Sequence, residues 1–378
     1  MSDDEREQDE LAIRVNGELP IEPWRLADSP WPRSAGDRRN TRQADVEGPR
    51  VGRVWRVSTQ AGEGLAVAGD GSLRMSGEGR LFAFDPSGAQ LWSLALHEPD
   101  EPDEPDDPEH DAPPRRWQSA PLVLADGTCV VSTSQGLVFV AAGGERLAHV
   151  ELTLGLDDSG PAINLAPDGT LILTTPYGDV LGLRGGNLIA IARGLGYDLV
   201  PPAIDDDGSL VVAGYAGKGL ARLAAQGTLA WRSGLAYADL LPTIDRAGRA
   251  AGGSMNEKQS WIVAREGQRL ATYPAAAVFA ATDDGWVALA EHSLAGLGPE
   301  GQLRWRRDTG ARGRWGRLGP ALDRAGRILA PCGDTLVGLE AEGRERFVVD
   351  LPGPALDLAL IGEGRAALAL AEGLFFVE

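Results

Sequence analysis

The stretch Pro202-Ala-Ile-Asp-Asp-Asp-Gly208-Ser-Leu-Val-Val-Ala213, continued by Leu220-Ala-Arg-Leu223 and Gly227-Thr-Leu-Ala-Trp231, decides the fold. It holds four short apolar runs, each too brief for a stable helix and each bounded by turn residues, so it reads as four antiparallel strands A, B, C and D. Asp207-Gly208 suits a tight A–B turn, because glycine enters positive φ without a Cβ clash.

Working outward, the same unit returns along the chain. Its turn glycine recurs at Gly71, Gly127, Gly169, Gly208, Gly248, Gly285, Gly326 and Gly364, at spacings of 37–42 residues apart from a first gap of 56. A second glycine, at the C–D turn, recurs at Gly88, Gly144, Gly186, Gly227, Gly267, Gly301 and Gly343. Four residues after it stand Trp92, Ala148, Ala190, Trp231, Ala271, Trp305 and Phe347. A third signal precedes the A–B turn, as in Pro161-Ala-Ile-Asn164, Pro242-Thr-Ile-Asp245, Pro320-Ala-Leu-Asp323 and Pro354-Ala-Leu-Asp357. A four-strand unit of about 40 residues cannot bury both faces alone, and stacking such units around an axis gives a β-propeller.

Eight turn glycines predict an all-β fold of eight blades, with seven as the alternative. The chain ends after a C-type strand, Gly373-Leu-Phe-Phe-Val377, while Val51-Gly-Arg-Val-Trp55-Arg-Val57 has D-strand character with no unit before it. The N-terminal strand is therefore expected to complete the last blade and close the ring, leaving no open edge. The expected organisation is an acidic disordered tail over 1–12, an irregular strap over 13–50 and the propeller over 51–378. Trp24 and Trp31 are expected to hold the strap against the side of the ring. The long first gap contains a Pro-rich run of like charge over 98–114, which predicts an extended disordered insert.

Composition narrows the function. Hydrophobic residues make up 43% of the 378 and charged residues 24%, enough apolar material for a core, so wholesale disorder is excluded. The formal net charge is −19, and most of it lies in Met1–Glu10 and Glu98–Asp111. That balance argues against binding a nucleic-acid backbone. No apolar run reaches the length a spanning helix needs, so no membrane insertion is expected. The opening Met-Ser-Asp-Asp-Glu-Arg lacks the basic and apolar regions of a secretory signal, which gives a cytoplasmic expectation, with the periplasm or cell surface as the alternative if the start is misplaced.

The units resemble the PQQ-like repeats of propellers similar to the quinoprotein alcohol dehydrogenases, an architecture shared with the outer-membrane barrel-assembly lipoprotein B. The lead-in Pro30-Trp31-Pro32-Arg33-Ser-Ala-Gly36-Asp37-Arg-Arg-Asn40-Thr41 is similar to the Trp-Pro, Gly-Asp, Asn-Thr opening of such bacterial propellers. The resemblance covers roughly residues 30–378 and implies a fold that hosts enzymes and non-catalytic scaffolds alike. Quinone-dependent members pair the cofactor with Ca²⁺, an Asp base and a disulfide between adjacent cysteines. Here Cys129 and Cys332 belong to different units, and Asp205-Asp206-Asp207-Gly208 occupies the place of every other turn. The four histidines are scattered, and no nucleophile elbow or phosphate loop is present. The expectation is no catalytic residue, no cofactor and no metal.

What remains is a binding scaffold. D–A and B–C connections emerge on one face of a propeller, and the long or unusual ones here belong to that set: His97–Trp117, Gly253–Ser260 and Asp308–Leu318. Variable loops on a rigid frame are where binding concentrates. The candidate partner-binding residues are Arg306, Arg307, Arg312, Arg314, Trp315, Arg317, Asn256, Lys258, Tyr177, Tyr215 and Lys218, and the arginines point to a protein with an acidic surface. The competing expectation is a quinone-dependent or carbohydrate-processing enzyme with its site at the central channel.

Overall fold

The structure is a computed structural model that describes residues 13–97, 118–152, 160–197, 199–215, 219–234, 237–309 and 318–378. The acidic tail and the acidic insert of the sequence reading lie outside these residues. Eight antiparallel sheets, seven of four strands and one of four with a fifth added at its outer edge, form an eight-bladed propeller. Blade 1 holds Gly64–Val67, Leu73–Gly77, Arg80–Phe84 and Gln90–Ala95. Blade 2 holds Leu122–Val123, Cys129–Thr133, Gly136–Val140 and Arg146–Leu152, and blade 3 Ala162–Leu165, Leu171–Thr174, Val180–Arg184 and Asn187–Ala192. Blade 4 holds Ala203–Ile204, Leu210–Ala213, Leu220–Leu223 and Leu229–Arg232, and blade 5 Thr243–Ile244, Ala250–Ser254, Gln259–Val263 and Arg269–Tyr273. Blade 6 holds Ala277–Thr282, Gly285–Ala290, Ser293–Leu297 and Leu303–Asp308, and blade 7 Ala321–Leu322, Ile328–Cys332, Thr335–Leu339 and Glu345–Asp350. Blade 8 takes Ala355–Gly362, Arg365–Leu370 and Gly373–Val377 from the C-terminal end and its outer strand, Val54–Ser58, from the other end of the chain. Trp55 pairs with Phe376 in that closing strand, which seals the ring as expected.

The turn glycines behave as their positions require. Gly208 has φ +79 and Gly227 φ +87, the left-handed region that side chains with a Cβ rarely enter. Inner and middle strands are buried almost throughout, as in the fully buried Gly136–Val140 and Gly285–Ala290. Outer strands alternate between half-buried and exposed, as in Leu303–Asp308. The C–D tryptophans pin adjacent blades together. Trp92 Nε1 donates to the Ala142 carbonyl at 2.9 Å, Trp231 Nε1 to Arg265 at 2.8 Å and Trp305 Nε1 to Ala341 at 3.2 Å, each acceptor being in the next blade's C–D turn.

The segment over 13–50 differs from a strap along the side. Ile13–Gly17 forms a fifth strand on the outer edge of blade 2, antiparallel to Arg146–Leu152. The chain then crosses the A–B-turn end, where Trp24 packs at 5.4 Å from Phe139, and enters the axis. Residues 31–47 circle the axis and meet the blades in order. Val67 N donates to Trp31 O at 2.7 Å, Val123 N to Pro32 O at 2.8 Å and Ile204 N to Arg38 O at 2.7 Å. Ile244 N follows on Arg39 O at 2.9 Å, Ala281 N on Thr41 O at 2.9 Å and Leu322 N on Arg42 O at 2.7 Å. Gly364 N closes the circuit on Glu47 O at 3.1 Å. The physical reason is backbone accounting. The inner ends of the A strands have no neighbour on the axis side, and buried N–H groups need acceptors. This plug supplies them.

Candidate interaction surface

The plug explains the lead-in motif. Asp37 accepts from the backbone N–H of Thr41 at 3.0 Å and from its hydroxyl at 2.9 Å, folding the loop on itself. Asn40, fully buried, donates to Pro242 O at 2.8 Å and accepts from Arg33. Trp31 is fully buried, and the chain turns beside it through Gly36 at φ +83, a conformation that favours glycine. The carboxylates that end the A strands are structural as well. Asp205 binds Arg222 at 2.5 Å, and Asp323 takes Arg327 at 2.6 Å and the Gly48 N–H at 3.0 Å.

The axis carries charge of its own. Arg33 and Arg42 are both fully buried in the plug. Burial pulls each guanidinium down to about 10, and their mutual repulsion adds to this for Arg33. Asp357 is the facing carboxylate. Burial holds its pKa above the usual range, and its oxygens accept from Leu65 N and Leu358 N at 2.8 Å each. Arg33 donates to Asp37 O at 2.8 Å, whereas Nε and Nη1 of Arg42 have no partner among the described residues. The cysteines do not approach one another. Cys129 and Cys332 are buried free thiols in the B strands of blades 2 and 7, each raised to about 12 by burial. Among the described residues no group of three His, Cys, Asp or Glu side chains could hold a metal ion. The adjacent-cysteine pair implied by quinone-dependent relatives is not present in this chain, and Trp31, Arg33 and Arg42 are buried in the plug at the A–B-turn end of the axis.

The opposite end of the ring carries the D–A and B–C connections. Four of the five tyrosines stand there, on blades 3 to 5. Tyr197 and Tyr215 exchange backbone hydrogen bonds of 2.9 and 2.7 Å and are 50% and 44% exposed. Tyr215 packs on Tyr237 with ring centroids 5.4 Å apart. Tyr177 lies in the neighbouring B–C turn of blade 3, whose Gly178 O accepts from Leu195 N at 2.8 Å, two residues before Tyr197. Asn256 and Lys258 extend this sector. Both are exposed in the B–C turn of blade 5, and Asp239 ties that turn to the Tyr237 loop by accepting from Met255 N at 2.8 Å. The structure thus brings together Tyr177, Tyr215, Asn256 and Lys258, and adds Tyr197 and Tyr237, which the sequence reading did not select. Their signal was available: each falls between a D and an A strand of the repeat.

Arg306 and Arg307 lie elsewhere, on the outer strand of blade 6. Arg306 is exposed, and Arg307 is paired with Glu345 of blade 7, so it ties blades together. Lys218, Arg312, Arg314, Trp315 and Arg317 lie outside the described residues.

With this geometry in hand, comparison with known proteins is informative. The model of the family described as outer membrane protein assembly factor BamB matches residues 48–276, more than half of the chain. The chain belongs to the BamB family of PQQ-like propellers. No curated protein matches. Among solved structures, BamB from Moraxella catarrhalis is similar over 86% of this chain and 97% of its own, with a TM-score of 0.59 and 15% identity. The computationally designed Ika8 protein is similar over 88% and 99%, with a TM-score of 0.63 and 11% identity. A streptogramin B lyase is similar over 86% and 97%, with a TM-score of 0.50 and 12% identity. At these identities the likeness to BamB, Ika8 and the lyase is one of fold.

Proposed function

We propose that this BamB-family chain is a non-enzymatic interaction scaffold whose protein partner docks on the D–A/B–C face. The observation that carries the reading is the tyrosine sector on blades 3 to 5, where two of the rings are 44–50% exposed on a rigid frame. Tyrosine is enriched at interface hot spots, because it offers apolar area and a polar tip at little entropic cost. Asn256 and Lys258 give the sector a polar edge, and Lys258 suits a partner with an acidic surface. The alternative, a quinone-dependent or carbohydrate-processing enzyme working at the central channel, would have to share the axis with residues 31–47.

The experiment is affinity capture from the native host with three baits. These are the wild type, a Tyr197→Ala/Tyr215→Ala/Tyr237→Ala variant and an Arg306→Ala variant. A stoichiometric partner kept by R306A and lost, or weakened at least about tenfold, by the tyrosine variant supports the reading. A partner retained by the tyrosine variant moves the site off this face. No partner with any bait ends the scaffold reading.

A further inference from the structure

The plug answers the blades with its carbonyls, and the buried side-chain atoms it leaves unanswered are all of one kind. Trp31 Nε1, Arg39 Nε and both Nε and Nη1 of Arg42 have no hydrogen-bond partner among the described residues. All four are N–H groups that can only donate. Buried polar groups are ordinarily satisfied, so unmet donors within one short segment call for an acceptor.

Arg42 concentrates the demand. Its main chain is level with the end of the A strand of blade 7, where Leu322 N donates to Arg42 O at 2.7 Å. Its Nε lies beside Gly319, because a Cβ added there would stand 2.6 Å from Arg42 Nε and 2.6 Å from Val278 Cγ1. The three residues from Gly319 to Leu322 span up to about 10 Å when extended. The side chain therefore runs inward from the plug, between the A strands of blades 6 and 7, among the buried Val278, Leu318 and Ala321. No acid of the chain contacts Nε or Nη1. Asp357 acts on Arg42 through space, but its oxygens accept from the Leu65 and Leu358 amides and from Ser34. Asp37 acts on Arg33, which already has Asp37 O and Asn40 as acceptors. A pKa drawn down to about 10 still leaves Arg42 protonated at neutral pH. Buried cations are costly unless paired and hydrogen-bonded.

We infer that the inner side of the plug binds one small monovalent anion, a halide or the carboxylate of a small acid, held by Nε and Nη1 of Arg42 beside Gly319. One guanidinium in an apolar wall matches a single negative charge, whereas a sulfate or phosphate would bring a second charge into a low-dielectric site without a second set of donors. The bound anion fastens the plug to blades 6 and 7. The site lies on the axis, away from the tyrosine sector, and stands whether or not that sector binds.

The test is urea denaturation of the full chain at pH 7 in sodium gluconate, chloride or formate at one ionic strength. Gluconate is too bulky for a site walled by Val278 and Gly319 and sets the baseline, where Arg42→Met is at least as stable as the wild type. Exchange into about 0.2 M chloride or formate should raise the wild-type folding constant at least about tenfold, as a dissociation constant of about 20 mM or less gives by linkage. R42M should not respond, so the order of the two proteins reverses. A larger response to formate than to chloride assigns a carboxylate, and the opposite a halide. Arg304→Met, which removes an exposed arginine paired with Asp284, should respond as the wild type does. Loss of the response in R304M to the same degree as in R42M would mean that salt merely screens surface pairs, and overturns the proposal. Wild-type crystals grown in bromide and in formate should place the anion within hydrogen-bond reach of Arg42 in at least one, a result that stands even if R42M fails to fold. Ordered water there in both, or a wild-type stability equal in all three salts, means that water alone satisfies Arg42 and sinks the inference.

Discussion

The two ends of this ring are built on opposite terms. At the A–B end the plug over 31–47 hands carbonyls to the inner strands, and Arg38 and Arg39 reach Asp206 in the turn of blade 4. Polar groups there are spent on the fold itself. At the D–A/B–C end the tyrosines pair with one another and keep large faces in water. One end is a keystone and the other a display surface. Substitutions at the first should read out as stability, and substitutions at the second as binding.

The contrast is broken most severely by removing what closes and centres the ring. Deleting residues 51–57 removes the outer strand of blade 8 and leaves Gly373–Val377 as a bare edge, so the truncated chain should show no cooperative thermal transition. Trp31→Ala is the graded version. A fully buried aromatic in a packed site costs about 3–5 kcal/mol when truncated, so chemical denaturation should lose that much while the purified chain stays folded. A loss below about 1 kcal/mol would mean that the plug follows the ring and does not hold it.

How far the sequence carried this picture depends on what encodes each part. Blades are legible because periodicity and turn glycines are local signals: Gly88 to Trp92 and Gly343 to Phe347 keep the same spacing and the same place between blades. The spacing misleads at Gly186, because a two-residue turn shifts the strand register, a change that only pairing to Val180–Arg184 reveals. The plug escapes any periodic reading, since its contribution is made by main-chain carbonyls that every residue type carries. Its polar side chains, Arg33, Asp37 and Asn40, look like surface residues until the axis encloses them. Tyr197 and Tyr237 were overlooked for a different reason. Neither is flanked by a basic residue, and they become neighbours of Tyr215 only when two D–A loops and a B–C loop meet on one rim.

Two arginines of the keystone differ in how well they are satisfied. Arg33 and Arg42 are equally buried, but Arg33 has carbonyl and amide acceptors, whereas two nitrogens of Arg42 are unmet among the described residues. Arg42 has a folded pKa of about 10 against an ordinary 12.5, so the folded state disfavours its charged form. The sign follows: a depressed folded pKa means the penalty is complete below about 10 and is relieved only as pH rises toward 12.5. That shift bounds the penalty at about 3 kcal/mol. Arg42→Met should therefore leave stability at pH 7 unchanged or raise it, with the advantage shrinking above pH 10. Arg33→Met should lower stability, since it strips Asn40 of a buried partner. Equal losses in both variants, measured by urea denaturation at pH 7, would show that Arg42 is satisfied in solution.

The smallest effect belongs to the outermost strand. Ile13–Gly17 is exposed at four of its five positions and is held by one ladder and the Asn16–Glu151 hydrogen bond of 2.6 Å. Deleting residues 1–17 removes little buried area, so the melting temperature should fall by no more than a few degrees. The deletion also uncovers Arg146–Leu152, the longest outer strand of the ring at seven residues, with its hydrogen-bonding edge open. Exposed edges recruit other strands. The truncated chain should accordingly protect its inner strands from hydrogen exchange as the full chain does, while self-associating at high concentration in sedimentation. A monomer at all concentrations would show that His149 and Glu151, which alternate on that strand, guard the edge unaided. A large drop in melting temperature would instead mean that the strand is part of the keystone and that the division between the two ends does not extend to the rim.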